Sequence, residues 1–315
     1  MSARRGSSAA WSVVRVRGAA IVLAMLVAAL AAVVAAAVLA DQTRWSRSVE
    51  HRRDQVQAQA LVIAGVQWAR LILREDAQRT NIDHLREPWA MSLPPIPVEN
   101  GEIRGTIVDA QGRLNVNALG SIDERDAAAA ARIATLFRNA GIGAATLAAI
   151  ADWIDPDSVV RDGGAEDAYY AGQPVPGLAA NAPVVRIAEL AQVAGLSVQS
   201  LAAVSPFLSA LPPGTALNVN TAPAEVLATV VGGLSGARLA ELVADRAARP
   251  YTTVADFRSR LPRDATLPTD IGLDVKSSYF DVTVEARQGE TIARARALLH
   301  RAGSQWPVVV WQVVE

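Results

Sequence analysis

Apolar and polar positions change their spacing several times along this chain. Ala19 to Ala40 is a charge-free apolar run, preceded by Arg4, Arg5, Arg15 and Arg17, and the first acid is Asp41. About 22 apolar residues suffice to cross a hydrocarbon core of ~30 Å, and the basic flank should keep the short amino-terminal end cytoplasmic. Beyond it, Trp45, Val49, Val56, Ala60, Ile63, Ala64, Trp68, Leu71 and Ile72 recur at three- to four-residue steps with charges between them, the period of a one-sided helix. No Gly or Pro interrupts Asp41 to Ala64, and Gly65 alone is tolerable. The spacing predicts one helix from Ala19 to about Gln78, ~90 Å long at 1.5 Å per residue.

The period then shortens. Pro94, Pro95 and Pro97 read as a loop, Glu102 to Asp109 as a strand, Ala110-Gln111-Gly112 as a turn and Arg113 to Asn117 as a second strand. Ile122 to Leu261 is mostly helical, with loops at Asp155–Pro176 and Leu211–Thr215. Alternation returns at Ser278 to Arg287, turns at Gln288-Gly289-Glu290 and runs back from Thr291 to His300; Val308 to Val314 is one more strand. Too few to stand alone, the early and late strands belong to one discontinuous sheet on the second half of the long helix. The fold class is α+β: a long N-terminal helix on a small antiparallel sheet, interrupted by a large, mostly helical insert. The expected divisions are 1–18, a leader; 19–40, a membrane span; 41–119, the rest of the helix and the first strands; 120–270, the insert; and 271–315, the last strands.

Three accounts of the start compete: a plain anchor; a secretory signal cut after Ala40, where Val38 and Ala40 are small; and a third that rests on the Arg17-Gly18 junction directly before the run and on a helix that does not stop at the membrane. The apolar run exceeds the usual 7–15 residues of a signal, and the helical pattern continues beyond it, so the third fits best.

Composition narrows the chemistry. The net charge is −1, there are no cysteines, and Lys276 is the only lysine. Thiol-ligated metals are excluded, and no global field draws nucleic acid. Asn218-Val219-Asn220-Thr221-Ala222-Pro223 should open a helix near Ala222, with Thr221 or Asn220 as N-cap. Gly232-Gly233 should end it, with helices at Ser235–Arg249 and Thr253–Arg260 after it. This looks like a helix-hairpin-helix unit, and Ile133 to Ile154 has a similar shape around Gly141-Ile142-Gly143. Such turns can sit on DNA phosphates, but only Arg238 and Arg138 are close in sequence, and DNA binding needs several basic contacts. The packing-unit reading is preferred. An enzyme is not expected: His51, His84 and His300 are scattered, Gly233-Leu234-Ser235-Gly236-Ala237 misses the nucleophile elbow, and no Walker or dinucleotide motif is present.

One segment does concentrate charge. Asp152, Asp155, Asp157, Asp162, Glu166 and Asp167 face a single Arg161 within sixteen residues. Folded together they repel unless a cation or protons intervene; in a thiol-free protein a hard cation with oxygen ligands is the natural partner, and calcium takes 6–8 oxygens in irregular geometry, while the alternative is a solvated acidic loop. The loop is no EF-hand, since Val159 and Val160 occupy the next ligand position and the required Gly. Trp153, Tyr169 and Tyr170 should fold it onto the body, and Gly163-Gly164 suggests a tight turn.

Nearly the whole chain resembles the type II secretion minor pseudopilin K family. The resemblance rests on the Arg17-Gly18 junction with its apolar helix, Asp109-x-Gln111-Gly112-Arg113-Leu114-Asn115-Val116-Asn117, the Asp152-Trp153-Ile154-Asp155 to Tyr170 loop, Asn181-x-Pro183 with Glu189-Leu190, and Asn218 to Pro223. It implies a pilin-like sheet with a calcium-binding insert, prepilin-peptidase cleavage between Gly18 and Ala19, and amino-terminal methylation. Leu23 stands where most pilins place a glutamate, and Ala19 and Ala20 stand where many relatives have larger residues. The resemblance carries over Asp155, Asp157, Glu166 and Asp167 as calcium ligands, with Asp152 and Asp162 as weaker ones. It further implies a non-catalytic subunit that caps and helps initiate a periplasmic pseudopilus, anchored by a single pass in the bacterial inner membrane. Its implied partners are minor pseudopilins I and J, the major pseudopilin and the inner-membrane assembly platform, with no nucleic acid. The alternative is a membrane-anchored helix-hairpin-helix DNA-uptake receptor.

Overall fold

The computed structural model describes residues 17–315, except Ser92, Leu93, Ser235 and Asp270. The expected leader therefore lies outside the described residues apart from Arg17 and Gly18, as do Ser235 of the elbow-like segment and Asp270 at the expected end of the insert. The first element is a single helix, α1 (Arg17–Ala77), 61 residues long. The chain divides into one compact unit up to Gln57 and a second from Ala58 to Glu315. In the first unit, Ala19 to Arg53 is exposed throughout, and the apolar run is long and apolar enough to cross a membrane.

In the second unit β1 (Ile96–Val98), β2 (Gly101–Asp109) and the short β3 (Leu114–Asn115) follow α1. Then come α2 (Glu124–Asn139), α3 (Ala144–Ile154), α4 (Asp167–Ala171), α5 (Val198–Val204), β4 (Leu208–Ser209), β5 (Leu217–Asn218), α6 (Ala224–Val230), α7 (Gly236–Ala248), α8 (Val254–Ser259) and β6 (Leu273–Asp274). The chain closes with β7 (Tyr279–Gln288), β8 (Thr291–His300) and β9 (Val308–Val314). Strands far apart in sequence form one antiparallel sheet in the order β1-β2-β7-β8-β9. Its inner face, Phe280, Val282, Val284, Ala286, Ala293, Ala295, Ala297 and Leu299, packs on Ala58, Val62, Val66, Ala69 and Leu73 of α1. A second core joins α2, α3, α6, α7 and α8 through residues such as Ile133, Phe137, Ile150, Leu227, Leu242 and Phe257.

Several expectations are corrected. The helical period is right but its buried face is not: Trp45, Val49, Val56, Ile63 and Trp68 are exposed, and the buried stripe is the smaller set beginning at Ala58. The stripe mixes Ala58 and Ala69 with Val62, Val66 and Leu73, and at Gly65 the helix lies so close to the sheet that a Cβ would be 2.6 Å from Val284 Cγ1. The proline loop contains β1, where Pro97 is tolerated on a sheet edge. The expected strand Arg113–Asn117 shrinks to β3, which pairs in parallel with β4 rather than joining the main sheet. The acidic loop contains α4.

Thr221 and Asn220 do not cap α6. Its N-cap is Pro223, without a side-chain bond, because both polar side chains are engaged elsewhere. Thr221 Oγ1 donates to Asp109 Oδ2 at 2.6 Å, and Asn220 exchanges bonds with the backbone N–H and C=O of Tyr251. Asn218 Nδ2 (3.0 Å) and Ser277 Oγ (2.5 Å) donate to the same Asp109 oxygen. Asn117 closes a similar exchange with the backbone of Val184. These buried Asn and Asp side chains serve as substitute backbone partners between loops, satisfying groups that burial would otherwise orphan.

Candidate cation site

The acidic loop is placed by α3 on one side and α4 on the other. Alanines favour helix in α3, whose Ala149, Ile150, Trp153 and Ile154 face the core. Asp155 ends the helix in extended conformation, as the following Pro156 requires. Trp153 packs edge-on against Tyr170 with centroids 5.0 Å apart, and Tyr170 accepts the Ala194 N–H at 3.2 Å. The loop is thereby tied to the body. Gly163 takes a φ of 76°, and a Cβ on Gly164 would lie 2.0 Å from Asp152 Oδ2, so only glycine fits there.

The structure brings three of the expected ligands together. Asp155, Asp157 and Glu166 each present an oxygen within 4.8 Å of the others. Asp155 and Glu166 are buried, and Asp155 Oδ1 and both Glu166 oxygens have no hydrogen-bond partner among the described residues. Asp157 is exposed and accepts the Val159 N–H. Asp167 sits in the first turn of α4, turned toward the Ala179 N–H at 2.9 Å, and Asp162 is exposed. Fully buried Asp152 is held instead by Arg161, whose Nη1 lies 2.8 Å from its Oδ1. The same Nη1 pairs with Asp155 Oδ2. Arg161 was visible in the sequence as the loop's single positive charge, but not as the group inserted among the acids.

Burial, then the charges of Asp152, Asp155, Asp167 and Asp157, hold Glu166 above the ordinary carboxylate range. Four carboxylates against one guanidinium leave a local excess of negative charge. A buried carboxylate with both oxygens unpaired is costly unless a cation or a proton meets it. Oxygens of a 2.3–2.6 Å coordination sphere lie up to ~5 Å apart, so this oxygen-only set fits a hard divalent ion.

Asp76, Asp83 and Glu87 form a second acidic group, all buried. Arg301 enters it, donating to Asp76 Oδ2 at 2.9 Å and pairing with Asp83. No local sequence signal announces this group, because Arg301 lies 225 positions from Asp76. Ala19 and Leu23, at the start of α1, are exposed.

A long N-terminal helix on an antiparallel sheet that carries a helical insert defines a pilin-like subunit. The family model described as type II secretion system (T2SS), protein K, matches residues 112–213 and 217–276, more than half of the chain. Proteins named type II secretion system protein K are similar over most of its length. That of Klebsiella pneumoniae is 30% identical over 94% of this chain and 95% of its own. That of Pseudomonas aeruginosa is 30% identical over 87% and 85%. The fold matches a chain in the crystal structure of the GspK-GspI-GspJ complex of the enterotoxigenic Escherichia coli type 2 secretion system, with a TM-score of 0.74, 24% identity and coverage of 85% of this chain and 99% of that one. The chain belongs to the type II secretion system protein K family.

Proposed function

We propose that this protein is a non-catalytic minor pseudopilin that caps the pseudopilus of a type II secretion system and helps initiate it. The observation that carries the reading is the pairing, in one chain, of an exposed apolar helix with a sheet into which more than a hundred residues are inserted (the segment between β2 and β7). The helix can associate laterally in a bilayer with other subunits. The insert adds bulk that a repeating shaft has no room for, which favours the end of a fibre. Leu23 supports the same position. A carboxylate there could neutralise the amino terminus of a neighbouring subunit in the low-dielectric membrane; a subunit with leucine makes no such link and can forgo the neighbour above it.

In this account the leader is cut between Gly18 and Ala19 and the new terminus is methylated. The helix crosses the bacterial inner membrane once from a cytoplasmic amino terminus, and residues after about Asp41 lie in the periplasm. Pseudopilins I and J are the direct partners, as the related E. coli complex suggests, and the major pseudopilin and inner-membrane assembly platform follow. Asp155, Asp157 and Glu166 would hold a structural calcium ion, which would pull the loop's acids together and fix the surface of the insert; Asp167 and Asp152 would contribute less, since the Ala179 N–H and Arg161 already engage them. Family membership goes against the DNA-receptor alternative.

The test is co-purification. Coexpressed with its own pseudopilins I and J and extracted in mild detergent, the full chain should elute with both as one stoichiometric complex. A chain that is folded by circular dichroism yet elutes alone across micromolar concentrations would overturn the tip assignment.

A further inference from the structure

The acidic loop already contains a cation of its own. Nη1 of Arg161 lies 2.8 Å from Asp152 Oδ1 and pairs with Asp155 Oδ2, while the Arg161 backbone N–H donates to the Asp152 carboxylate at 3.2 Å. The two acids are buried, yet the Arg161 side chain keeps 41% of its surface in solvent. Its Nη1 is among the carboxylates while the side chain as a whole is still partly in water. One guanidinium cannot serve all of them: Asp155 Oδ1 and both Glu166 oxygens are left without a donor. The residues that carry them, Asp155 and Glu166, belong with Asp157 to the group whose oxygens, one from each, lie within 4.8 Å of one another, close enough to meet one ion. A divalent ion held there would share the Asp155 carboxylate with the guanidinium, and two like charges on one buried carboxylate repel strongly at low dielectric. A partly exposed side chain leaves the arginine a way out.

We propose that Arg161 is a displaceable internal counter-ion of this site. With no metal present it neutralises Asp152 and Asp155. When a divalent ion binds Asp155, Asp157 and Glu166, the guanidinium leaves Asp155 and keeps Asp152. The inference rests on the calcium reading of the loop and adds to it a built-in threshold: the ion must first displace a resident charge, so the apparent affinity is weakened by the population of the arginine-closed state.

The experiment uses the full chain in detergent micelles, titrated with calcium chloride by calorimetry and melted in EDTA and in millimolar calcium. Wild type should bind calcium. R161Q should bind it on the order of 10-fold more tightly, because the competing charge is gone. It should also melt lower than wild type in EDTA, where Asp152 and Asp155 both lose their counter-ion, with the gap narrowing in calcium, where only the pairing with Asp152 is lost. R161K keeps the charge and should stay near wild-type affinity. If wild type binds and R161Q binds equally or more weakly, the displacement idea is wrong while the calcium site stands. An equal loss of melting temperature with and without calcium makes Arg161 a strut in both states and also overturns it. Absence of binding by all three proteins removes the calcium reading itself, and this inference with it.

Discussion

Asp76 is paired, buried and still unfavourably placed. Its Oδ2 accepts from Arg301 at 2.9 Å, but Asp83 shares the same guanidinium and Glu87 stands beside them. Burial, reinforced by the Glu87 charge, outweighs the pull of Arg301 and raises Asp76 from 3.8 to about 6. A carboxyl raised on folding binds its proton more tightly in the folded state, so stability falls as pH rises from about 4 to about 6 and stays lower above that window. Over that range the loss is about 2–3 kcal/mol, since each pKa unit is worth ~1.4 kcal/mol. Asp76→Asn does not titrate. Relative to wild type it should therefore gain about 2–3 kcal/mol between pH 4 and pH 8 in urea denaturation of the detergent-solubilised chain. A difference between the two proteins that stays flat with pH would show that folding does not raise the Asp76 pKa. This group was not legible in the sequence, because its counter-ion arrives from the far end of the chain. The acidic loop was legible, because all its members lie within sixteen residues. Which of them converge was not, since that depends on α3 ending at Asp155 and on α4 turning Asp167 away toward Ala179.

The contact between α1 and the sheet turns on a residue with no side chain. A Cβ on Gly65 would lie 2.6 Å from Val284 Cγ1 and 3.2 Å from Ile103 Cδ1. Two effects then oppose each other in Gly65→Ala. Helix propensity favours alanine by ~1 kcal/mol. Overpacking against a stiff β-branched valine on a central strand costs ~1–3 kcal/mol. With a stiff valine in the way the clash should win, lowering stability by up to about 2 kcal/mol and the melting temperature by as much as several degrees. A higher melting temperature would mean that helix and sheet separate at no cost. The same closeness explains why periodicity revealed the helix but not its face. Large residues were the natural choice for burial, yet Ile63 and Trp68 are exposed while Ala58 and Ala69 are covered. The sheet was easier: alternation from Thr291 to His300 and Val308 to Val314 gave β8 and β9 at their observed ends, since one face meets α1. Leu114 to Asn117 misled because all four side chains are buried, with each asparagine satisfied by loop backbone instead of solvent.

The whole chain joins an apolar run that none of the described residues covers to a folded unit with hydrophobic cores of its own. Ile21, Val22, Leu26 and Leu30 are all more than 60% exposed, and burying each such side chain is worth ~1.5–3 kcal/mol. The run therefore belongs in lipid or against other helices. A signal peptidase that removed it would have to cut at Ala40, yet Val38 to Asp41 lies inside α1, with no proline, glycine or cap to open the backbone there. A cut between Gly18 and Ala19 falls at the second residue of the helix, where the first backbone N–H groups have no intrahelical acceptor and the chain is easily opened. It also leaves the whole span attached to the folded unit. Mass spectrometry of the protein extracted from membranes should accordingly give a mature chain beginning at Ala19 and carrying one methyl group on its terminal nitrogen. A mature chain beginning at Asp41 would discard the helix, leave the folded unit with no means of entering a membrane-assembled fibre, and overturn the pseudopilin reading at its base.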